Sequence, residues 1–386
     1  MHTLIIGGGL GGLCLAQGLT RSGLSVAVYE RDASAAFRGQ GYRIGIKDAG
    51  SDALRDCLPA DLYDLCVATS ISSPTRMVFM DHQLNVAQTW SIIHGGSGFG
   101  VNRLTLREIM LTGLDDIVRF GTTFERYTQE VGGRIRAHFA DGTSAVGDLL
   151  VGADGTRSAV RRQLLPDSGL DELGRFIYGR TPLVADVPGV LIDTFNQMTG
   201  PGGVTMSVAT CRKRGSAPNL TDIADYFAWT LRAANLTEAD PAALHPWARS
   251  LLGGWHPAVR RIVDKADVAA TFLVTVDSAR PVQPWDVPNI TLLGDAIHTM
   301  SPGRGEGANT ALRDAALLRR TLASGAPKAR YEEEMLRYGF KAVADSRDKP
   351  LLRRSFKCRT RNLSEPVRPE RSTWRLNGGP GPGARR

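Results

Sequence analysis

The sequence predicts an α/β fold: a sheet wound with helices, interrupted by an inserted β-sheet and closed by C-terminal helices. Three observations predict it. Short apolar strands at Leu4-Ile5-Ile6, Leu149-Leu150-Val151 and Thr291-Leu292-Leu293 each run into a turn of Gly or Asp and then into a helical pattern. Between them, residues 73–100 and about 176–280 change character, with β-rich or alternating runs such as TRMVFM, VTMSVATC and ATFLVTV. The 386 residues leave room for two domains or so, at roughly 100–200 residues each.

The first element is the most specific. In LIIGGGLGGLCLAQGLTRSGLSVAVYER, a buried strand is followed by Gly7, Gly9 and Gly12 in G-x-G-x-x-G spacing. A helix face of Leu13, Ala16 and Leu19 follows, with a stop at Gly23 and a second strand from Leu24 to Tyr29 ending at Glu30. Gly7 permits a tight turn, Gly9 lets a pyrophosphate approach the backbone, and Gly12 lets helix pack on strand. The helix start offers free N–H groups and a positive dipole to phosphate. Glu30 is placed to accept from a ribose 2′-hydroxyl, which disfavours a 2′-phosphate there. Strand, helix, strand and acid in this order predict a Rossmann-like dinucleotide site.

The second element, VNRLTLREIMLTGL (Val101–Leu114), reads as a helix beginning near Arg103, with Leu104, Ile109 and Leu111 apolar. The third, DLLVGADGTRSAVRRQL, is a strand, an Asp154-Gly155 turn and a helix from about Ser158. The bland account of that turn is an Asp-Gly loop before a helix. The fourth, TLLGDAIHTMSPGRGEGANTALRDAALL, puts Asp295 at a strand end. Gly303, Gly305 and Gly307 then bare the start of a helix whose face is Ala308, Ala311, Leu312, Ala315 and Leu318. A carboxylate at the carboxyl end of a strand is where open α/β sheets bind ligands. His298 in the same stretch reads as a hydrogen-bonded loop residue more readily than as a base. In the β-rich region, LTDIADYFAWTLRAA (Leu220–Ala234) reads as an amphipathic helix on the outer side of the inserted sheet. Arg43 in GYRIGI and Arg180 in IYGRTPL are the buried-looking cations there, candidates for a catalytic role, against the commoner reading as structural ion pairs or surface residues.

Composition narrows the function classes. The net charge of +8 sits in residues 351–386, which hold ten Lys/Arg against two acids, so the rest of the chain is balanced. With no groove-reading motif beside it, that charge reads as a solvated, disordered Gly/Pro-rich tail, and nucleic-acid binding is not expected. No apolar run is long enough to span a membrane, and the start of the chain shows no signal-peptide pattern. Five scattered cysteines without a CxxC pair point to reduced thiols in a cytoplasm and to no metal site.

Together, GxGxxG with Glu30-Arg31, Arg103 in an R-x-x-L helix, VGADGTRSAVR and LLGDAIHTMSPGRGEGAN resemble the group A FAD-dependent monooxygenases, the aromatic hydroxylases of the para-hydroxybenzoate hydroxylase type. The resemblance covers about residues 1–350. It implies a GR2-type FAD-binding domain built from 1–72, 101–175 and 281–363, a substrate-binding β-sheet domain from 73–100 and 176–280, and a tail from 364 to 386. It also implies site residues. Arg31 lies near the adenine, Arg103 contacts ribose and pyrophosphate, and Asp154 and Gly155 lie by the flavin and the nicotinamide path. Asp295 bonds the sugar-alcohol chain, while Pro302, Gly305, Gly307 and Asn309 surround the ring. Glu306 departs from the neutral residue common there, and its carboxylate is expected to point away from reduced flavin.

The implied chemistry is external monooxygenation, with NADPH or NADH as transient reductant, O2 as oxidant and a flavin C4a-hydroperoxide as the oxygen donor. The implied partner is a small hydrophobic, aromatic or polyketide-like substrate. Two other activities share the motifs: a flavin-dependent reductase or dehydrogenase on the same fold, and a flavoprotein that binds a ligand without turnover.

Overall fold

The computed structural model describes residues 1–34, 42–92, 96–183, 187–234, 236 and 241–348. The basic tail and Cys358 lie outside the described residues. Among the described residues no helix is long and apolar enough to cross a membrane.

A five-stranded parallel sheet runs in the order Ile290–Leu292, Leu149–Gly152, His2–Ile6, Ser25–Tyr29, Val118–Arg119. Its central strands read as continuous apolar runs because both faces are covered. Leu4, Ile5, Val28, Leu150, Val151, Ile290 and Leu292 pack with Leu13, Ala16 and Leu312 of the covering helices in one core. Those helices are Leu10–Arg21 and Gly307–Ala323, and they lie against each other. A Cβ on Gly11 would lie 3.3 Å from the Ala311 Cβ and 3.3 Å from its carbonyl oxygen, so the glycine is what lets the two helices come this close. The chain leaves His2–Ile6 on one side to Ser25–Tyr29 and returns on the other side to Leu149–Gly152. The carboxyl ends beside His2–Ile6 are therefore the crevice where this architecture takes a ligand.

A seven-stranded sheet carries Phe272–Ala279, Leu170–Pro182, Tyr226–Arg232, Thr205–Cys211, Thr194–Thr199, Arg76–Asp81 and Val86–Ser91, in that order. All neighbours are antiparallel except Thr194–Thr199 with Arg76–Asp81. One face, with Ile177, Met206, Val208, Phe227, Trp229 and Leu231, packs in a second core with Leu244 of the helix Pro241–Leu251 and with Val259 and Ile262 of the helix Pro257–Asp264. The alternate residues Tyr178, Cys211, Tyr226 and Ala228 form a separate cluster with Ile71. That inner face meets a two-stranded ribbon, Arg43–Ile46 with Phe99–Asn102.

One expectation is corrected here. Residues 220–234 do not form a helix; Tyr226–Arg232 is an interior strand of the sheet. Both its faces are covered, so polarity does not alternate along it, and the run of buried residues mimicked a helical stripe. Its Tyr, Phe, Trp and Thr are the residue types that fit a pleated, packed surface. The outer helices come from later in the chain, at Pro241–Leu251 and Pro257–Asp264.

Candidate functional site

The glycines of the first motif have the separate steric duties their spacing requires. Gly7 sits at φ +111°, and a Cβ there would lie 2.4 Å from the Ala153 carbonyl oxygen. The first turn therefore leans on the third strand end. A Cβ on Gly12 would lie 2.1 Å from the Gly7 oxygen. Gly9 differs: nothing lies within 4 Å of its missing side chain, and it starts the helix without a side-chain cap. Backbone N–H groups at that helix start face open space, the arrangement an anion needs.

Glu30 closes this turn. Its Oε2 accepts from Gly8 N at 2.6 Å and its Oε1 from Asp32 N at 2.9 Å. Arg107, which the sequence reading missed, binds this corner together. It is buried, donates to the Gly8 carbonyl at 3.1 Å, and lies 3.5 Å from Glu30 and 3.3 Å from Asp32. Burial pulls its pKa down, and the two carboxylates oppose that shift. The signal in the sequence was an Arg beside Leu106, Ile109 and Met110 on a helix otherwise buried there. Arg31, the next residue, is exposed.

The fourth motif faces the first. Asp295 opens a short helix, Asp295–His298. Its carboxylate has no hydrogen-bond or ion-pair partner among the described residues and remains exposed, yet the surrounding protein raises its pKa by desolvation. The group is thus closely surrounded by protein but still open to solvent. His298 and Arg103 favour its charged form and Asp314 opposes it. Arg103 begins the helix Arg103–Leu111, which Asn102 caps at Leu104 N, 2.9 Å. The Arg103 guanidinium lies 5.6 Å from the centre of the Tyr42 ring and has no ion pair among the described residues.

The glycines after Asp295 are bare on the cleft side. No atom lies within 4 Å of a Cβ on Gly305, which is left-handed at φ +65°, and one on Gly307 would meet Asp295 Oδ1 at 3.7 Å. Pro302 starts the 3₁₀ turn Pro302–Arg304 that leads in. Gly45 on the ribbon opposite is equally open, and sequence reasoning did not single it out. The Asn309 side chain is spent within the protein. It donates to Gly45 O at 2.9 Å and Gly305 O at 2.8 Å, and accepts from Lys47 N at 2.8 Å. It fastens the two glycine walls together, and its side chain is not free for a ligand. Glu306 pairs with Lys47, which neutralises it.

Asp154 is likewise occupied. It accepts from Ser158 Oγ at 2.5 Å and Ala159 N at 2.6 Å, capping the helix Ala159–Leu164; burial raises its pKa against these bonds. The bland account of the Asp-Gly turn describes this carboxylate. Gly155, at φ +79°, has open space around it. Arg161 then ties the third and fourth motifs, donating to Ala296 O at 3.0 Å and Thr156 O at 2.9 Å.

His298 is fully buried. Its Nε2 lies 2.7 Å from Asp314 Oδ2, and Tyr338 donates to the other oxygen at 2.6 Å. Burial disfavours its charge, but Asp314 outweighs this and its pKa is raised. It braces the motif from behind as the hydrogen-bonded residue expected there. Arg180 pairs with Asp267 at 2.7 Å and lies 5.9 Å from the Tyr226 ring centre, so it is a structural ion pair. Arg43 has no such partner among the described residues, and its buried Nε is unbonded there.

The FAD binding domain family matches residues 110–342, and the NAD(P)-binding Rossmann-like domain matches 5–56. The chain is 33% identical over 402 residues to the dual O-methyltransferase/FAD-dependent monooxygenase elcB of Phaeosphaeria nodorum, covering 90% of this chain and 43% of that protein. It thus spans less than half the length of that relative. It is 31% identical to the FAD-dependent monooxygenase thnD of Trichoderma harzianum, covering 90% of this chain and 92% of the relative. The crystal structure of a candidate FAD-containing monooxygenase from Photorhabdus luminescens subsp. laumondii TTO1 superposes with a TM-score of 0.78 at 32% identity, over 90% of this chain and 96% of that one. Strand ends, bared glycines and family match agree: the chain belongs to the FAD-dependent monooxygenases.

Proposed function

We propose that the protein is a NAD(P)H-driven monooxygenase that places one oxygen atom of O2 into an aromatic or polyketide-like substrate. The observation that carries this reading is Asp295: a walled-in carboxylate beside bare glycines and Arg103, neither side chain having an ion-pair partner among the described residues. The residues present fit FAD. Open backbone at Gly9 suits its pyrophosphate, and the unbonded Asp295 carboxylate suits hydroxyls of its sugar-alcohol chain.

When bound, FAD supplies electron transfer from NAD(P)H and activation of O2. The chain's own residues do the rest. Gly7, Gly9 and Gly12 shape the phosphate turn. Glu30, two of whose acceptor sites serve backbone N–H groups, keeps capacity for a ribose hydroxyl, with Arg31 on the solvent side. Arg103 offers charge to phosphate and ribose. Pro302, Gly305, Gly307 and Gly45 clear space for a flat ring, and Asn309 holds that space at fixed width through its amide. The Gly307–Ala323 helix start, with no side-chain cap, favours negative charge on the ring, worth about 0.3–1 kcal/mol or more when partly buried. Gly155 leaves room on the Asp154 turn. The apolar inner face of the seven-stranded sheet excludes water from the reacting centre. The NAD(P)-binding match coincides with the first motif, the turn that suits the FAD pyrophosphate, and the reductant is taken to visit transiently.

The test is twofold. NADPH or NADH added to FAD-loaded protein bleaches the flavin faster when an aromatic ligand is bound. Under ¹⁸O2 the product gains one labelled oxygen. Reduction of the ligand without O2 consumption replaces this reading with the reductase; no bleaching with any donor replaces it with a binding protein.

A further inference from the structure

The strands Thr205–Cys211 and Tyr226–Arg232 are antiparallel neighbours whose pairing runs up to Cys211 opposite Tyr226. A loop of about 2–5 residues is enough to close such a pair. This chain spends residues 212–225 on the connection, and no helix or strand forms in them. The loop is pinned at several points. Glu108, on the Arg103–Leu111 helix, accepts from Thr221 N at 3.0 Å and from Thr221 Oγ1 at 2.5 Å. Arg214 N donates to Ser70 O and Ser72 N to Arg212 O, both at 2.8 Å. Gly215 sits where a Cβ would stand 3.0 Å from the Ala68 carbonyl oxygen. Held in this way, the loop roofs a cavity of about 430 Å³, mouth included. That is within the roughly 300–1,000 Å³ of small-molecule sites.

The lining says what the cavity accepts. Ile71, Ala217, Leu220 and Ile223 supply apolar surface. The charged side chains are engaged within the loop: Lys213 pairs with Asp222, and Asp225 accepts from Lys213 N. Burial pushes the Cys211 thiol up to about 11 and raises the Tyr226 hydroxyl, so both stay neutral. An ionised group brought here would lose its water without gaining an opposite charge. Two lining residues also reach the cofactor side. Tyr226 belongs to the inner-face cluster with Tyr178, and its hydroxyl accepts from Asn102 Nδ2 at 3.2 Å. Asn102 caps the helix that begins at Arg103. The cavity therefore adjoins the inner face of the seven-stranded sheet.

We propose that the cavity under residues 212–225 is a specificity pocket for an uncharged alkyl or alkenyl chain carried by the substrate ring. The inference rests on the monooxygenase reading and adds the substituent that the substrate bears. A chain anchored in the pocket fixes which edge of the ring is presented for oxygen transfer.

The test titrates 4-ethylphenol, 4-butylphenol, 4-hexylphenol and 6-(4-hydroxyphenyl)hexanoate into FAD-loaded protein at pH 7, followed by flavin absorbance. In wild type the affinity of the alkylphenols rises about 4-fold for each added methylene, the worth of one buried CH₂. The hexanoate, with a similar reach but an ionised end, gains nothing over 4-ethylphenol. Ala217→Trp and Ile223→Trp fill the cavity from two lining positions, and each levels the series near the 4-ethylphenol value. Retained FAD loading shows that each variant is folded. A flat series in wild type, a chain-length gain that survives both fillings, an equal gain with the hexanoate, or no binding of any member overturns the pocket. Because flavin bleaching and ¹⁸O incorporation are read separately, the pocket can fail while the monooxygenase reading stands.

Discussion

The two halves of the cleft are made of different material. The wall at the parallel strand ends is mostly backbone: Gly7, Gly9, Gly305, Gly307 and Gly45, with Asp295 and Arg103 as its principal unengaged charges. The wall on the seven-stranded sheet is mostly side chain: Tyr178, Phe272, Ala228 and Tyr226, every second residue of neighbouring strands. A backbone wall constrains sequence tightly, because a Cβ at Gly7 or Gly12 has nowhere to go. A side-chain wall constrains it loosely, because many residues can stand on a pleated surface. The first can serve one cofactor across many proteins, while the second is free to vary with substrate.

The sharpest way to break this contrast is to attack the backbone wall through the side chain that binds it. Arg107→Met leaves Glu30 and Asp32 buried without their cation and should cost about 3–5 kcal/mol. Urea denaturation of the FAD-free protein reads it; a loss well under 1 kcal/mol would mean the carboxylates are already satisfied without it.

Asp295→Asn separates function from stability. FAD affinity should fall ~10- to 100-fold, the scale of a hydrogen bond to a charged group, by fluorescence titration. The FAD-free protein should melt higher at pH 7. The sign follows from the pKa, which desolvation raises above 3.8 in the fold. The ionised carboxylate therefore penalises folding above that raised pKa, and the penalty vanishes below the unfolded value. The stabilisation by Asn should accordingly disappear in acid; a lower melting point at pH 7 would instead make Asp295 a structural residue.

The smallest effect belongs to the sheet wall's own ion pair. Arg180→Gln should cost about 0.2–1 kcal/mol, since its pair with Asp267 is partly exposed. Urea denaturation reads it, and a loss of several kcal/mol would mean that the pair is buried and not partly exposed.

This contrast also explains what was legible. The strand ends, the glycine turns and Asp295 could be read because steric demands at a turn write themselves into residue type and spacing. Asp154 and Asn309 stand out in the sequence, but their side chains turn to the Ala159–Leu164 helix and to the two glycine walls, partners that spacing cannot reveal. Arg107 was overlooked because its partners Glu30 and Asp32 lie far back in the chain. Tyr226–Arg232 was misread because a strand covered on both faces loses its alternation. Arg43 and Arg180 looked alike as isolated cations, and only the fold gave one a carboxylate and left the other bare.

The Asn309 clasp has a consequence for biosynthesis. It joins Gly45 to Gly305, segments separated by most of the chain, and the edge strand Ile290–Leu292 is also a late arrival. A ribosome must release residue 309 and the helix behind it before the nucleotide has two walls to sit between. On the proposed reading, cofactor capture comes late in synthesis, and a nascent chain halted before residue 309 would carry the glycine fingerprint yet emerge colourless.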